Sequence, residues 1–563
     1  MNQPAFKAAA PVRERRGVPA SPPRRVGHVV SVSGSRAVAV LERQDMAASR
    51  EPLRVQIGSL LKITTPSSAV LGMVTAVSMP TPFAADQQEE IELVEMNLVG
   101  EVVIAGSDRR LSFRRGVTSP PSNGDALLLA DRHDLTRVYA PPALATIKVG
   151  TLYQDRAVLA RLRMDDLLSK HFVIVGSTGS GKSCALTTIL GRIFEDHKYG
   201  HVVVLDVHNE YGRAFRDKAE AIHLNNFSLP FWLLNFQELV TALTSEEHRE
   251  AETEILGKAV TEAKRRYNDN AVRGALVRKT VDSSHMTVET PTPFRLADLI
   301  AYLDDQMGRL DHAQMTLPFR KLKARIETLI ADQRYNFMFG GLTVQDTMAD
   351  ILSRLFRVPS DGKPITVIDL SVVPAEILDV VISVISRLAF DLAIWSNGGL
   401  PTLLVCEEAH RYAPSSETGM FAPTRHALGR IAKEGRKYAL SLALITQRPS
   451  ELDPTILSQC STAIALRLSN ERDVQAMRGA AQEGTSDLLD FLPLLGDREA
   501  IVLGQGVSMP MRILFDDLES EAVPRNLNAG FSKSWKTPNM KREELDAIVA
   551  RWRQSGREKA PAG

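Results

Sequence analysis

The sequence predicts an α/β protein in which a parallel sheet carries a phosphate-binding loop, is interrupted by a helical insertion and is preceded by a small β-barrel. Three observations lead there. "HFVIVG", "HVVVLDVHNEYG", "ITVIDLS", "TLLVCEE" and "LSLALITQ" are continuous apolar runs that turn polar abruptly, the pattern of strands buried on both faces of a parallel sheet. The first of them leads into "GSTGSGKS", residues 176–183, and then into a helix-like "CALTTILGRIF". Upstream, from about Arg25 to Ala145, the chain instead alternates over short segments broken by Gly, Pro and Ser, the period of half-buried strands.

Taken in chain order, residues 1–25 are rich in Pro, Ala and Arg and nearly devoid of acids. They hold too few large apolar side chains to offset the entropy of ordering and read as a disordered basic tail. Residues 26–145 are expected to form a small β-barrel or sandwich: Val30 and Val32 alternate with serines, and Val94, Met96 and Leu98 alternate with Glu95 and Asn97. Nothing in this stretch looks catalytic, which suits an assembly module. The Pro141-Pro142 pair marks the change of character, and residues 146–520 read as one α/β domain. Within it, from about 244 to 351, "EAETEILGKAVTEAKRRY" and "FRKLKARIETLIADQRY" carry helical periodicity dense in charge, predicting an insertion between early and late strands. Its Arg265, Arg266, Lys321 and Lys323 suit either a solvated helix face or contact with a polyanion. "EAIVLGQGVSMPMRILF" alternates like a hairpin, and in the C-terminal extension, 521–563, Leu545, Ile548, Val549 and Trp552 recur at the spacing of a docking helix.

Composition narrows the class. The 563 residues, 44 % apolar and 24 % charged, are ordinary for a globular chain of two or three folding units. With 68 basic against 67 acidic side chains, net charge neither requires nor excludes a nucleic-acid partner, so a local arrangement of Lys and Arg would have to supply one. The three cysteines, Cys184, Cys406 and Cys460, have neither zinc-site spacing nor disulfide density. With no long apolar run and no secretion signal, the expectation is a cytoplasmic protein without membrane contact.

The candidate site follows from the ends of the apolar runs. In Gly176, Ser177, Thr178, Gly179, Ser180, Gly181, Lys182 and Ser183 the glycines permit a tight turn whose N–H groups, with the helix N-terminus behind them, cradle phosphates. Lys182 would reach the β- and γ-phosphates of ATP and Ser183 would ligate Mg²⁺. "LLVCEE" supplies Glu407, first off its strand, and Glu408 next to it, with side chains projecting in different directions, so one can face the metal while the other faces the γ-phosphate. Asp206 and, four residues on, Glu210 end a second strand and are further candidates for the metal shell or for positioning water. "LITQRPS" places Thr446, Gln447 and Arg448 at another strand end, where the amide of Gln447 could read the γ-phosphate. Upstream of it, Arg425, Arg430, Arg436 and Lys437 include candidates to stabilise charge on a neighbouring copy's nucleotide. A small-molecule kinase would need an acceptor site, and the sequence offers no convincing one.

In order, "LLSKHFVIVGSTGSGKS", "VVVLDVHNEYG", "VIDLS", "CEEAHRY", "EGRKYALSLALITQRPSELDPTILSQC" and "FLPLLGDREAIVLG" resemble the HerA family of hexameric DNA translocases, within the HerA–FtsK class of RecA-like ATPases. The likeness covers nearly the whole chain after residue 25. It implies nucleotide binding by Gly179, Gly181, Lys182 and Ser183, support of the metal site by Asp206, catalysis by Glu408, a sensor at Gln447, and an arginine acting between subunits at Arg430 or Arg436. Glu407 stands where many relatives carry aspartate, which leaves open direct or water-mediated contact with Mg²⁺. The resemblance further implies a homohexameric ring around double-stranded DNA, with a nuclease like NurA in DNA end processing, or a nuclease or sirtuin-like effector in antiphage defence. A contrasting expectation, drawn from the noncatalytic barrel and the terminal helix, is a nucleotide-gated scaffold that activates an effector without moving DNA.

Overall fold

The computed structural model describes residues 25–42, 55–66, 68–79, 92–105, 110–139, 145–223, 226–244, 249–274, 286–309, 316–340, 344–415, 421–480, 486–524 and 542–554. The basic tail before residue 25, the Pro141-Pro142 break and the first part of the C-terminal extension beyond Pro524 lie outside the described residues. The chain divides into two compact units, Met1–Val138 and Tyr139–Gly563.

The first unit is built from β1 (Arg25–Ser33), β2 (Arg36–Leu41), β3 (Leu60–Thr64), β4 (Ala69–Ser78), β5 (Glu92–Ala105), β6 (Arg110–Arg115) and β7 (Ala126–Leu129), followed by α1 (Arg132–Tyr139). The strands run β2-β1-β7-β3-β4-β5-β6, and β2 also pairs with β5, so the sheet closes into a barrel with β6 appended. Closure depends on β5, which is long enough to pair with β4, β2 and β6. Alternate residues such as Val29, Ala37, Ala39, Ile63, Val74, Val94 and Met96 fill the interior, the inward half of the period-two pattern.

In the second unit one 11-stranded sheet runs β12-β13-β11-β14-β15-β10-β16-β17-β18-β8-β9. It comprises β8 (Thr146–Leu152), β9 (Leu159–Arg163), β10 (His171–Val175), β11 (His201–Asp206), β12 (Ala219–Ile222), β13 (Ile365–Asp369), β14 (Thr402–Cys406), β15 (Leu440–Thr446), β16 (Cys460–Ala465), β17 (Glu499–Gly504) and β18 (Met511–Phe515). From β12 to β16 the pairings are parallel, and every residue of β10, β13, β14 and β15 is buried. The apolar runs thus form a sheet covered on both faces, the α/β architecture expected from them. The remaining strands pair antiparallel.

The helices of this unit are α2 (Met164–Leu168), α3 (Lys182–Asp196), α4 (Phe236–Leu243), α5 (Arg249–Gly274), α6 (Leu296–Gly308), α7 (Leu317–Ala331), α8 (Asn336–Phe339), α9 (Met348–Phe356), α10 (Ala375–Trp395), α11 (Ala422–Glu434), α12 (Pro454–Ser458), α13 (Glu471–Ala480) and α14 (Arg542–Gln554). α5, α6 and α7 pack on one another through Leu256, Val260, Leu299, Leu303, Leu322 and Ile326, all buried. This cluster lies in sequence between β12 and β13. Its basic residues are locally balanced: Arg265 and Arg266 both pair with Glu262, and Lys323 pairs with Asp304. α4 is anchored by a capping box between Asn235 and Glu238, and Glu238 is buried against Ser383 and Arg387 of α10. Among the described residues no helix is long and apolar enough to cross a membrane.

Candidate active site

The strand order brings the loops of interest together. β10 lies between β15 and β16, with Val175 paired to Thr446 and Ala465, while β14 sits between β15 and β11. The carboxyl ends of β10, β11, β14 and β15 therefore open on one side of the sheet, where ligands of such folds bind. The loop from Gly176 to Gly181 turns with Gly179 and Gly181 at φ +77° and +104°, conformations that a side chain would strain. α3 starts at Lys182, so its free N–H groups face the loop.

Lys182 is only 8 % exposed, and its ammonium donates to the Ser177 carbonyl at 3.2 Å. Burial lowers its pKa, and the nearby Glu408, Glu210 and Glu407 oppose that shift. The Ser183 hydroxyl donates to Glu210 Oε2 at 2.7 Å. Asp206 is fully buried and accepts three backbone N–H bonds: His208 at 3.3 Å and Glu210 at 3.1 Å on Oδ1, Tyr211 at 2.9 Å on Oδ2. That carboxylate winds the loop after β11 around itself and so delivers Glu210 to Ser183.

Glu407 is buried, and its Oε2 accepts from the Val207 amide at 3.1 Å. Burial, with Asp206 beside it and Glu210 and Glu408 near, raises its carboxyl well above the ordinary range. Glu407 thus lies buried among the acids Asp206, Glu210 and Glu408. Glu408 adopts a left-handed conformation, φ +47° and ψ +46°, which costs a non-glycine residue about 1–2 kcal/mol. Its side chain is buried, Oε2 lacks a hydrogen-bond partner, and the nearest cation-forming group is His410 Nδ1 at 3.3 Å. His410 Nδ1 also lies 3.0 Å from Thr446 Oγ1. Gln447 Oε1 accepts from the Thr178 hydroxyl, which ties the end of β15 to the phosphate loop.

The structure thus gathers Gly176 to Ser183, Asp206, Glu407, Glu408 and Gln447 at one edge of the sheet. Arg430 and Arg436 are elsewhere. The Arg430 guanidinium lies over the Phe390 ring at 4.4 Å. Arg436 is exposed, and its charge is felt by His171 at the start of β10, the end away from the loop. Arg448 is paired with Glu451. The contact of Glu210 with Ser183 and the place of His410 were beyond the sequence reading. Asp206 followed by amides two and four residues on is the signature of an Asx-type turn that could have revealed the first.

Among the described residues no group of three or more His, Cys, Asp or Glu side chains encloses a metal position. The parts nevertheless fit a nucleoside triphosphate with a divalent cation. A glycine loop at a helix N-terminus supplies N–H donors, Lys182 a cation, and Ser183 with Glu210 and the Glu407–Glu408 pair the oxygen donors a hard cation takes.

Residues 147–389 match the family model described as "Helicase HerA, central domain". The chain is 25 % identical over 546 residues to the DNA double-strand break repair helicase HerA of Sulfurisphaera tokodaii, covering 94 % of this chain and 99 % of that one. Over most of its length the chain is thus similar to HerA helicases. The HerA of Pyrococcus furiosus is 26 % identical over 422 residues, covering 69 % of this chain and 72 % of its own. Among solved structures, VirB4 of Thermoanaerobacter pseudethanolicus aligns at a TM-score of 0.47 and 15 % identity, over 67 % of this chain and 98 % of that one. The HerA central-domain match spans the phosphate loop, Asp206 and Glu210, while Glu407, Glu408 and Gln447 lie beyond it.

Proposed function

We propose that this chain assembles with copies of itself into a hexameric ring, in the cytoplasm, that uses ATP hydrolysis to translocate along double-stranded DNA. The observation that carries the proposal is the convergence of Lys182, the Ser183–Glu210 pair, Glu408 and the Gln447–Thr178 contact on one phosphate loop. Relatives named as DNA double-strand break repair helicases support the DNA substrate.

In this proposal the loop amides and Lys182 bind and orient the β- and γ-phosphates, so that positioning and charge stabilisation carry most of the rate. Ser183, with Glu210 and Glu407, would hold Mg²⁺, which when bound neutralises charge on the phosphate oxygens. Asp206 supports that site indirectly by fixing the loop that bears Glu210. Glu408 accepts the proton of the attacking water, and Gln447 senses the γ-phosphate. Arg430 or Arg436, remote from their own loop, are assigned to a neighbouring subunit's nucleotide. A nuclease or a sirtuin-like effector is the partner class this assigns to the ring, in DNA end processing or defence; pull-down from the native host tests it.

The direct test is ATP hydrolysis with and without duplex DNA, together with displacement of a protein roadblock. DNA-stimulated turnover and roadblock removal are expected. Glu408→Gln should lower kcat by about 10²–10⁴ while ATP still binds. A ring that activates a partner yet never moves DNA would replace the motor with a nucleotide-gated scaffold.

A further inference from the structure

We propose that His410 is a positioning residue that ties the Glu408 carboxylate to the sensor end of β15. The proposal rests on the assignment of Glu408 as the base. His410 sits in the short turn Ala409–Arg411 that Glu408 caps, and the turn is closed by the Arg411 amide donating to the Glu408 carbonyl at 2.9 Å. Its side chain is 9 % exposed, and one nitrogen, Nδ1, faces two oxygens: Glu408 Oε2 at 3.3 Å and Thr446 Oγ1 at 3.0 Å.

Chemistry restricts the tautomer. An ionised carboxylate only accepts, so an imidazole nitrogen lacking hydrogen would be repelled by Glu408 Oε2. In this proposal Nδ1 carries the proton, directed at Thr446 Oγ1 at 3.0 Å, with the unpartnered Glu408 Oε2 beside it at 3.3 Å. Thr446 Oγ1 also accepts from the Arg448 amide at 3.0 Å, which fixes that hydroxyl in place. The residue between them, Gln447, accepts from Thr178 of the phosphate loop. A path of side chains and one peptide step, Thr178, Gln447, Thr446 and His410, thus leads from the loop to within 3.3 Å of the Glu408 carboxylate. Glu408 Oε2 is buried and without a hydrogen-bond partner, and a buried acceptor in that condition is costly unless another group orients it. His410 is the group within reach. A movement of Thr446 or Gln447 shifts the His410 N–H toward or away from the base, so the aim of Glu408 follows the sensor.

The test uses the full chain with His410→Ala, His410→Asn, Thr446→Val and the double variant His410→Ala/Thr446→Val. Each is measured for ATP hydrolysis and for binding of a fluorescent ATP analogue. His410→Ala is expected to lower kcat by about 10- to 100-fold, as for a reacting group displaced by up to an ångström. KM and analogue affinity should stay at the wild-type values. Asparagine places an amide N–H where Nδ1–H was and should recover most of the rate. The double variant should be no slower than His410→Ala, because both changes cut one path. Wild-type turnover in His410→Ala, an asparagine variant as slow as alanine, or penalties that multiply would each overturn the proposal. Glu408→Gln run alongside separates the failures. If it turns over normally, the base assignment falls, whereas a slow Glu408→Gln beside a fast His410→Ala removes only the link through His410.

Discussion

Replacing Asp206 by alanine removes the one carboxylate around which the loop after β11 is wound. Of the three amides it accepts, that of His208 lies in an exposed residue and can be rehydrated, whereas those of Glu210 and Tyr211 are in partly and fully buried residues. Two charge-assisted hydrogen bonds at about 1.5–3 kcal/mol each set the gross loss. Relief of the crowding between Asp206 and Glu407 returns part of it, leaving roughly 2–4 kcal/mol of local stability lost. Because a chain of this size need not unfold in a single step, the informative assay is hydrogen exchange of the peptide spanning 206–212. At about 1.4 kcal/mol per tenfold, its amides should exchange roughly 30- to 1,000-fold faster. Asp206→Asn keeps one acceptor oxygen and sets an amide donor against a backbone donor, so it should fall between wild type and alanine. Unchanged protection in the alanine variant would refute the view that Asp206 shapes this loop.

Other outcomes follow from buried groups. Glu238, 1 % exposed, is held by the Arg387 guanidinium, the Ser383 hydroxyl and the Asn235 amide, so Arg387→Met strands a buried charge and should cost about 3–5 kcal/mol in denaturant unfolding. His171 accepts from the Leu442 amide at 2.9 Å through Nδ1 and faces the Ala432 carbonyl at 3.0 Å through Nε2, and burial lowers its pKa. The unfolded chain therefore takes up this proton first, and stability that is full above pH 6.5 is lost as pH falls below it. The urea midpoint of wild type should drop through that window by more than that of His171→Gln; parallel curves would count against it. Gly181→Ala, at φ +104°, should weaken nucleotide-analogue binding, since the loop must distort to accept a methyl group.

The sheet and the phosphate loop were legible because each is a local signal. A continuous apolar run announces a strand buried on both faces, and a polar residue at its end announces the ligand side, so Asp206, Glu407, Glu408 and Gln447 could be named before any coordinates. What local sequence could not give is who touches whom across the sheet. That Glu407 is buried beside Asp206 depends on β11 lying beside β14. That Thr178 reaches Gln447 depends on β10 lying beside β15. The place of β8 in the sheet escaped for the same reason, because its partner β18 is remote in the chain. Spacing could nominate Arg430, but not show that it lies over a phenylalanine of its own chain.

The pairing of Phe515 with Gly150 also bears on how the chain is made. β8 emerges from the ribosome early and has β9 as a neighbour at once, yet its other edge stays open until β18 has been synthesised. For most of translation that edge presents unsatisfied backbone groups, the kind of surface that recruits other strands. Long-range pairing of this sort slows folding. Chains arrested before Phe515 should therefore be more prone to aggregation than chains arrested just beyond it, and chaperone demand during synthesis should end abruptly there.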